Sequence, residues 1–227
     1  MKWLKFIVPL FLLPAFTNVY CQLELERKNE TFFLTTEREN KELLSFPSKN
    51  FVTVKKEGKK TVYFKHSAIT TFGEIEHHWI LTGQLYAGKK DSIGFVMGFH
   101  KLKEENTVIF SVAFSDTTVR NIRLKFYYTD TTGKREQIFV SSGNDLRGKQ
   151  NVVSDCSENR EPVGALQNFF YTNNEKSIAI TRSLCTNFLF TSSKHWFVET
   201  DKPVVKGRLF YNMPLKEMQS KAEKFWQ

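Results

Sequence analysis

The sequence predicts an all-β protein, an antiparallel β-barrel or closed sandwich followed by a C-terminal helix. Two observations predict this class. About a dozen short runs of β-branched and aromatic residues follow one another with turn residues between them, and helical spacing is confined to the end of the chain. Strands do not alternate with helices, as they would in a parallel sheet.

The N-terminal segment has the pattern of a secretory signal peptide. Residues 1–5 form a short basic segment, and residues 6–16 form an apolar run that is interrupted only by prolines. This run is too short for a membrane-spanning helix. We therefore expect residues 1–21 to be removed after Cys21 and the protein to be secreted.

The cysteine count after that cut predicts one disulfide. Cys156 and Cys185 are the two that are left, in a chain bound for an oxidising compartment. The sequence Asn29-Glu30-Thr31 is an N-glycosylation acceptor, which fits the same route. Neither a CxxC motif nor histidines at i,i+2 or i,i+4 spacing occur, so no metal site and no cofactor are expected.

Net charge narrows the classes of partner. The chain carries +9, and the loss of Lys2 and Lys5 with the signal peptide would lower +9 to +7. The basic residues are scattered over the predicted turns, and nucleic acid is not an expected partner of a secreted chain. Contact with anionic lipid, glycan or cell-surface polyanions stays open. The sequence does not specify an oligomeric state.

The elements follow in order after the signal peptide. Residues 22–50 are polar and are expected to form a lead-in that packs against the barrel or stays partly mobile. Residues 51–213 form the β-domain, which begins with a hairpin around Gly58. Residues 214–227 have apolar side chains at helical spacing after a proline and predict the closing helix. The further predicted strands are 77–86, 93–101, 107–115, 121–129, 136–141, 165–172, 176–182, 186–191, 195–199 and 204–211.

The strand at residues 121–129 shows the two-residue period most clearly. Ile122, Leu124, Phe126 and Tyr128 alternate with residues that are mostly basic. One face of this strand should therefore be buried and the other solvated.

A family resemblance appears in residues 77–85 and 93–101, which read as two strands joined by a hairpin. Trp79, Thr82, Gly83 and Leu85 fall in register with the pattern of the AttH-like and carotenoid hydratase family, and Gly94 follows at the matching spacing. The family is built from two lipocalin-like barrels. The resemblance covers one barrel and implies a lipocalin-like fold here.

Two departures from the family pattern affect function. His77 stands where the family has a glutamate, and Gln84 replaces a histidine. In the hydratase branch the residues of the chemistry lie largely in the second barrel, which this chain lacks. No catalytic residue is therefore assigned.

The function that we expect is binding of a small hydrophobic ligand, such as a lipid, isoprenoid or pigment, inside the barrel. Trp79 would be the apolar platform, and His77 or Gln84 the polar group that orients the ligand. Aromatic side chains of the inward strand faces would line the cavity or fill it. The predicted ligand-binding residues are His77, Trp79, Gln84, Phe95, Phe99, Phe110 and Phe114.

Two other functions stay open. The first is a hydratase or cyclase that acts on a polyene or terpenoid by general acid catalysis, with Asp116 and His77 as the first residues to test. The second is an extracellular interaction module that works through its basic exterior. Nucleophile motifs such as Gly-x-Ser-x-Gly are absent from the sequence.

Overall fold

The chain forms seventeen strands and one helix within the part of it that the structure describes. The structure is a computed structural model, and it describes residues 23–226 except 38, 59, 77, 90, 103–104, 132–133, 141–144, 149–151, 155–168 and 182–185. The elements are β1 (Leu23–Lys28), β2 (Thr31–Thr36), β3 (Lys41–Pro47), β4 (Val52–Lys56), β5 (Val62–Phe64), β6 (His66–Ile75), β7 (His78–Ala87), β8 (Asp91–Lys101), β9 (Thr107–Phe114), β10 (Val119–Tyr127), β11 (Ile138–Phe139), β12 (Val152–Ser154), β13 (Phe169–Thr172), β14 (Lys176–Ile180), β15 (Thr186–Phe190), β16 (His195–Thr200), β17 (Val204–Tyr211) and α1 (Leu215–Trp226).

These strands pair into two antiparallel sheets. Sheet A has the order β1-β2-β3-β10-β16-β15-β12, with β4 also beside β10 and β5 beside β4. Sheet B has the order β11-β13-β14-β17-β9-β8-β7-β6. All of the strand pairs in both sheets are antiparallel.

The predicted all-β class, the antiparallel pairing and the C-terminal helix are confirmed. The two sheets match the sandwich alternative, and the described strands do not close into a barrel. Among the described residues, no helix has the length and apolar character needed to cross a bilayer.

Residues 22–50 differ from the predicted lead-in, because they contain β1, β2 and β3. Buried Leu23 and Leu25 alternate with more exposed residues in β1, and Phe32 and Leu34 do so in β2. This alternation is short and lies among charged residues, so the strand pattern is weak in the sequence. The three strands extend sheet A beyond β10.

Several predictions fall on residues outside the described part of the chain. These are the signal peptide, His77 and both members of the predicted disulfide, Cys156 and Cys185. Asn29 is described, and it lies exposed in the turn between β1 and β2 with a positive φ of 57°. An exposed turn is accessible to a glycosylating enzyme, and the modification itself stays a prediction.

Aromatic rings from both sheets meet in the core. Phe46 of sheet A stacks on Phe99 of sheet B with ring centroids 5.7 Å apart. Phe126 of sheet A packs 6.5 Å from Phe110 of sheet B and stacks 4.6 Å from Trp196. All five side chains are at most 3% exposed. Offset and edge-on ring contacts at these distances are those of a packed aromatic core.

Glycine at position 83 makes room for one of these rings. Gly83 lies on the inner face of β7 directly opposite Phe95 of β8. A Cβ atom at this position would lie 2.6 Å from the carbonyl oxygen of Ala68 and closer still to the Phe95 ring. The missing side chain therefore lets the Phe95 ring fold across the strand.

This packing predicts a stability difference between two glycines of neighbouring strands. Gly83→Ala should lower the free energy of unfolding by about 1–3 kcal/mol, because the carbonyl oxygen and the ring must both shift. The control is Gly73→Ala in β6, where an added Cβ meets nothing within 4 Å. Urea unfolding of the two variants provides the measurement. Equal stabilities would contradict the proposed reason for Gly83.

Candidate functional site

The structure places most of the predicted ligand-binding residues in the packed interior. Trp79, Phe95, Phe99, Phe110 and Phe114 all lie on the inner face of sheet B and are at most 8% exposed. The four phenylalanine rings lie against other rings, and Trp79 belongs to the same buried core cluster between the sheets. The cavity wall predicted from the sequence is therefore core.

Gln84 lies on the opposite face of sheet B from this core. Residues at odd positions of β7, such as Trp79, point inward, and those at even positions point outward. Gln84 is half-buried on the outer face, opposite Gly94 of β8. Trp79 and Gln84 therefore cannot line one cavity.

Asp116 has an environment unsuited to a general acid. Its carboxylate accepts hydrogen bonds from the backbone N–H and the hydroxyl of Thr118, at 2.9 and 2.6 Å, and pairs with Lys56 at 2.5 Å. The bond to Lys56, together with those from Thr118, lowers the pKa of Asp116 to about 2. The carboxylate is therefore ionised at neutral pH and has no proton to give.

The described residues instead form a groove on the outside of the sandwich, where α1 meets sheet B. Its volume is about 680 Å³, within the range of small-molecule sites. It is lined by Glu39, Tyr171, Thr172, Glu175, Lys176, Asn212, Met213, Pro214, Leu215 and Met218.

The sequence of α1 explains how the helix forms one wall of this groove. Pro214 precedes the helix, and its carbonyl oxygen accepts bonds from the N–H groups of Glu217 and Met218. Met218 and Ala222, one turn apart, pack on Phe169, Ala179 and Phe210 of sheet B in a second apolar cluster. α1 thereby packs on β13, β14 and β17 of sheet B.

The apolar side of the groove is made by an aromatic ring and two thioethers. Tyr171 of β13 is half-buried and stacks on Phe139 at 5.4 Å. Met213 is half-buried in the link between β17 and α1, and Met218 is buried in α1. Thioether side chains adapt to irregular apolar ligands, so this side could accept more than one shape.

The rim of the groove is polar and carries more negative than positive charge. Lys41 Nζ lies 3.5 Å from Glu175 Oε2 and donates to Asn212 Oδ1 at 3.0 Å. The amide nitrogen of Asn212 donates to Glu39 Oε2 at 3.5 Å. Glu175 therefore pairs with Lys41, while among the described residues Glu39 has only an amide beside it, which favours a ligand with a cationic or hydrogen-bond-donating group.

A buried ion pair fixes the strand end below the rim. Lys176 Nζ lies 2.8 Å from Glu136 Oε1 and donates to Thr129 Oγ1 at 2.6 Å and to the carbonyl oxygen of Leu43 at 3.0 Å. Burial raises the pKa of Glu136, but Lys176 and the bonds from Thr129 outweigh it and hold the pKa below its ordinary value. Because Leu43 belongs to sheet A and Lys176 to sheet B, the bond from Lys176 to the Leu43 carbonyl connects the two sheets.

The comparisons with known proteins identify the fold and leave the function open. No protein-family model matches the sequence, and no curated protein matches it. Among solved structures, the chain is similar to a GH31 family sulfoquinovosidase from E. rectale in complex with an aza-sugar inhibitor, at 11% identity and a TM-score of 0.51. The match covers 84% of this chain and 32% of that one, so the chain spans about a third of that protein's length. The likeness supports the sandwich fold alone.

Proposed function

We propose that this protein is a secreted binding protein that holds a small amphipathic ligand in the groove beside α1. The ligand's apolar body would lie against Tyr171, Met213 and Met218, and its polar group would meet the acidic rim. A pocket of about 680 Å³ with an apolar side and a polar rim carries the proposal. The lipocalin-like resemblance also implies binding of a small ligand. It implies a site in the interior, whereas we propose a site on the outer surface.

The proposed ligand class follows from the charges at the rim. Glu39 and Glu175 are the exposed charged residues of the lining, and the lining Lys176 is buried against Glu136. With Lys41 beside them the rim stays acidic, although the whole chain is basic. We expect decylamine, which is cationic at neutral pH, to bind more tightly than decanoate, which has the same chain length. Because the carboxylates are exposed, the preference should be about two- to fivefold.

Calorimetric titration of both probes against matched variants tests the proposal. Tyr171→Ala removes the aromatic part of the groove and should weaken decylamine binding about tenfold, or ~1.4 kcal/mol. The control is Tyr63→Ala, since Tyr63 is 58% exposed on β5 of sheet A. Equal effects of the two variants would contradict the groove.

The basic-surface alternative gives a different pattern in the same titrations. Salt-sensitive binding of heparin, with no binding of either decyl probe, would favour a surface module over the groove.

A further inference from the structure

A pair of histidines lies on the outer face of sheet B, away from the groove. His78 of β7 and His100 of β8 are directly opposite one another in the antiparallel register. Their rings stack with centroids 4.0 Å apart and planes inclined by 17°. In the strand order of sheet B, β9 and β17 separate this pair from β14, which lines the groove.

The hydrogen bond of His78 defines which ring nitrogen is free. His78 Nδ1 lies 3.0 Å from the carbonyl oxygen of Glu76. A carbonyl oxygen only accepts, so Nδ1 carries the proton and donates it, and the lone pair is on Nε2. Metal-binding histidines commonly use this arrangement, in which a backbone carbonyl orients the ring and fixes its tautomer.

His100 presents the second imidazole of the pair. Its Nδ1 atom is buried, and no described residue forms a hydrogen bond with it. An unpaired ring nitrogen beside a second imidazole is available to a metal ion.

There is space beside the pair for a ligand. Gly98 precedes His100 by two residues and shares its face of β8. A Cβ atom at Gly98 would lie 3.5 Å from Ser111 Oγ, an ordinary contact, so the glycine leaves room for about one small group beside the imidazole. The described residues contain no group of three His, Cys, Asp or Glu side chains that could hold a metal.

We propose that His78 and His100 form a two-imidazole site for a divalent transition metal, with Cu(II) bound most tightly. Imidazole nitrogen suits copper, nickel and zinc, and Cu(II) stands highest in the affinity order of these ions. Cross-strand neighbours have Cβ atoms about 4.5–5.5 Å apart, a separation that lets two imidazoles reach one ion. The rings must tilt out of their stack to bring both lone pairs to the metal.

The test is titration of Cu(II) into the untagged chain, followed by calorimetry and electron paramagnetic resonance. We expect one Cu(II) per chain and a spectrum with coupling to two imidazole nitrogens. His100→Ala should weaken binding by at least about tenfold, since even the loss of an orienting partner costs 10–100-fold. Ni(II) and Zn(II) should bind more weakly than Cu(II).

The controls separate the pair from other histidines and from misfolding. His195→Ala changes a histidine of sheet A and should leave Cu(II) affinity unchanged. His78→Ala changes an exposed side chain, so it reports on the site if His100→Ala unfolds the protein. Wild-type affinity in His78→Ala, or a spectrum without two nitrogen couplings, would overturn the proposal.

Discussion

Phe126→Ala is expected to lower the free energy of unfolding by about 3–5 kcal/mol, the usual cost of removing a buried phenylalanine. The ring of Phe126 has no exposed surface and lies 4.6 Å from Trp196, 5.5 Å from Phe51 and 6.5 Å from Phe110. Its loss would leave a cavity between the two sheets, where its neighbours are held by rings of their own. Urea unfolding monitored by circular dichroism gives the value.

The same measurement distinguishes a packed interior from a hollow one. Tyr63→Ala is the control, because Tyr63 is 58% exposed and its loss should cost under about 1 kcal/mol. A similarly small loss of stability in Phe126→Ala would mean that the ring lines open space. The interior would then be available to a ligand after all.

Lys176→Met should lower the free energy of unfolding by about 3–5 kcal/mol at neutral pH, because it leaves the Glu136 carboxylate buried without its cation. The side chains of the two residues are 4% and 1% exposed. The double variant Glu136→Gln/Lys176→Met should lose less than Lys176→Met, since no buried charge is left unpaired. Chemical unfolding of both variants tests this.

The loss of stability in Lys176→Met should depend on pH in a defined direction. The pKa of Glu136 is lowered in the folded protein, so its contribution is complete above the ordinary value of 4.5 and is lost as pH falls below it. In Lys176→Met, burial without the cation raises the pKa of Glu136, so the destabilisation should begin to shrink above pH 4.5 and go on shrinking as the pH falls towards the lowered pKa of the wild-type carboxyl. Lys41→Met is the control, because Lys41 pairs with a largely exposed Glu175 and should cost under about 1 kcal/mol. An equal loss in both variants would contradict the role of burial.

Elements with a strong local pattern could be predicted from the sequence. The alternation from Ile122 to Tyr128 predicted a strand, and β10 spans Val119–Tyr127 with Ile122, Leu124 and Phe126 buried. The apolar residues at helical spacing after Pro214 predicted the helix over 214–227, and α1 spans Leu215–Trp226. In both elements one face is buried, so the periodicity of the apolar residues predicts the type of element.

The arrangement of the strands could not be predicted in the same way. β10 pairs with β16 on one side and with β3 and β4 on the other, and these strands lie far apart in the sequence. Local alternation predicts that a strand has a buried face, but it does not select the strand's neighbours. A sandwich and a barrel therefore have the same local signature.

The candidate site could likewise be predicted from the sequence only in part. The opposite faces of Trp79 and Gln84 follow from strand parity, and the sequence alone could have separated them. The contact of His78 with His100 depends on the register of the β7–β8 hairpin, in which Ala87 pairs with Asp91. The groove depends on where α1 docks on sheet B, and the only signal for it was the apolar spacing of Leu215 and Met218.

Methionine-methyl NMR tests most directly whether the ligand binds outside the sandwich. The chain has four methionines, of which Met97 is buried between the sheets and Met213 and Met218 line the groove. On titration with decylamine, we predict that the methyl signals of Met213 and Met218 shift and that the Met97 signal stays in place. A shift of Met97 with unchanged signals from Met213 and Met218 would contradict the account and return the ligand to the interior.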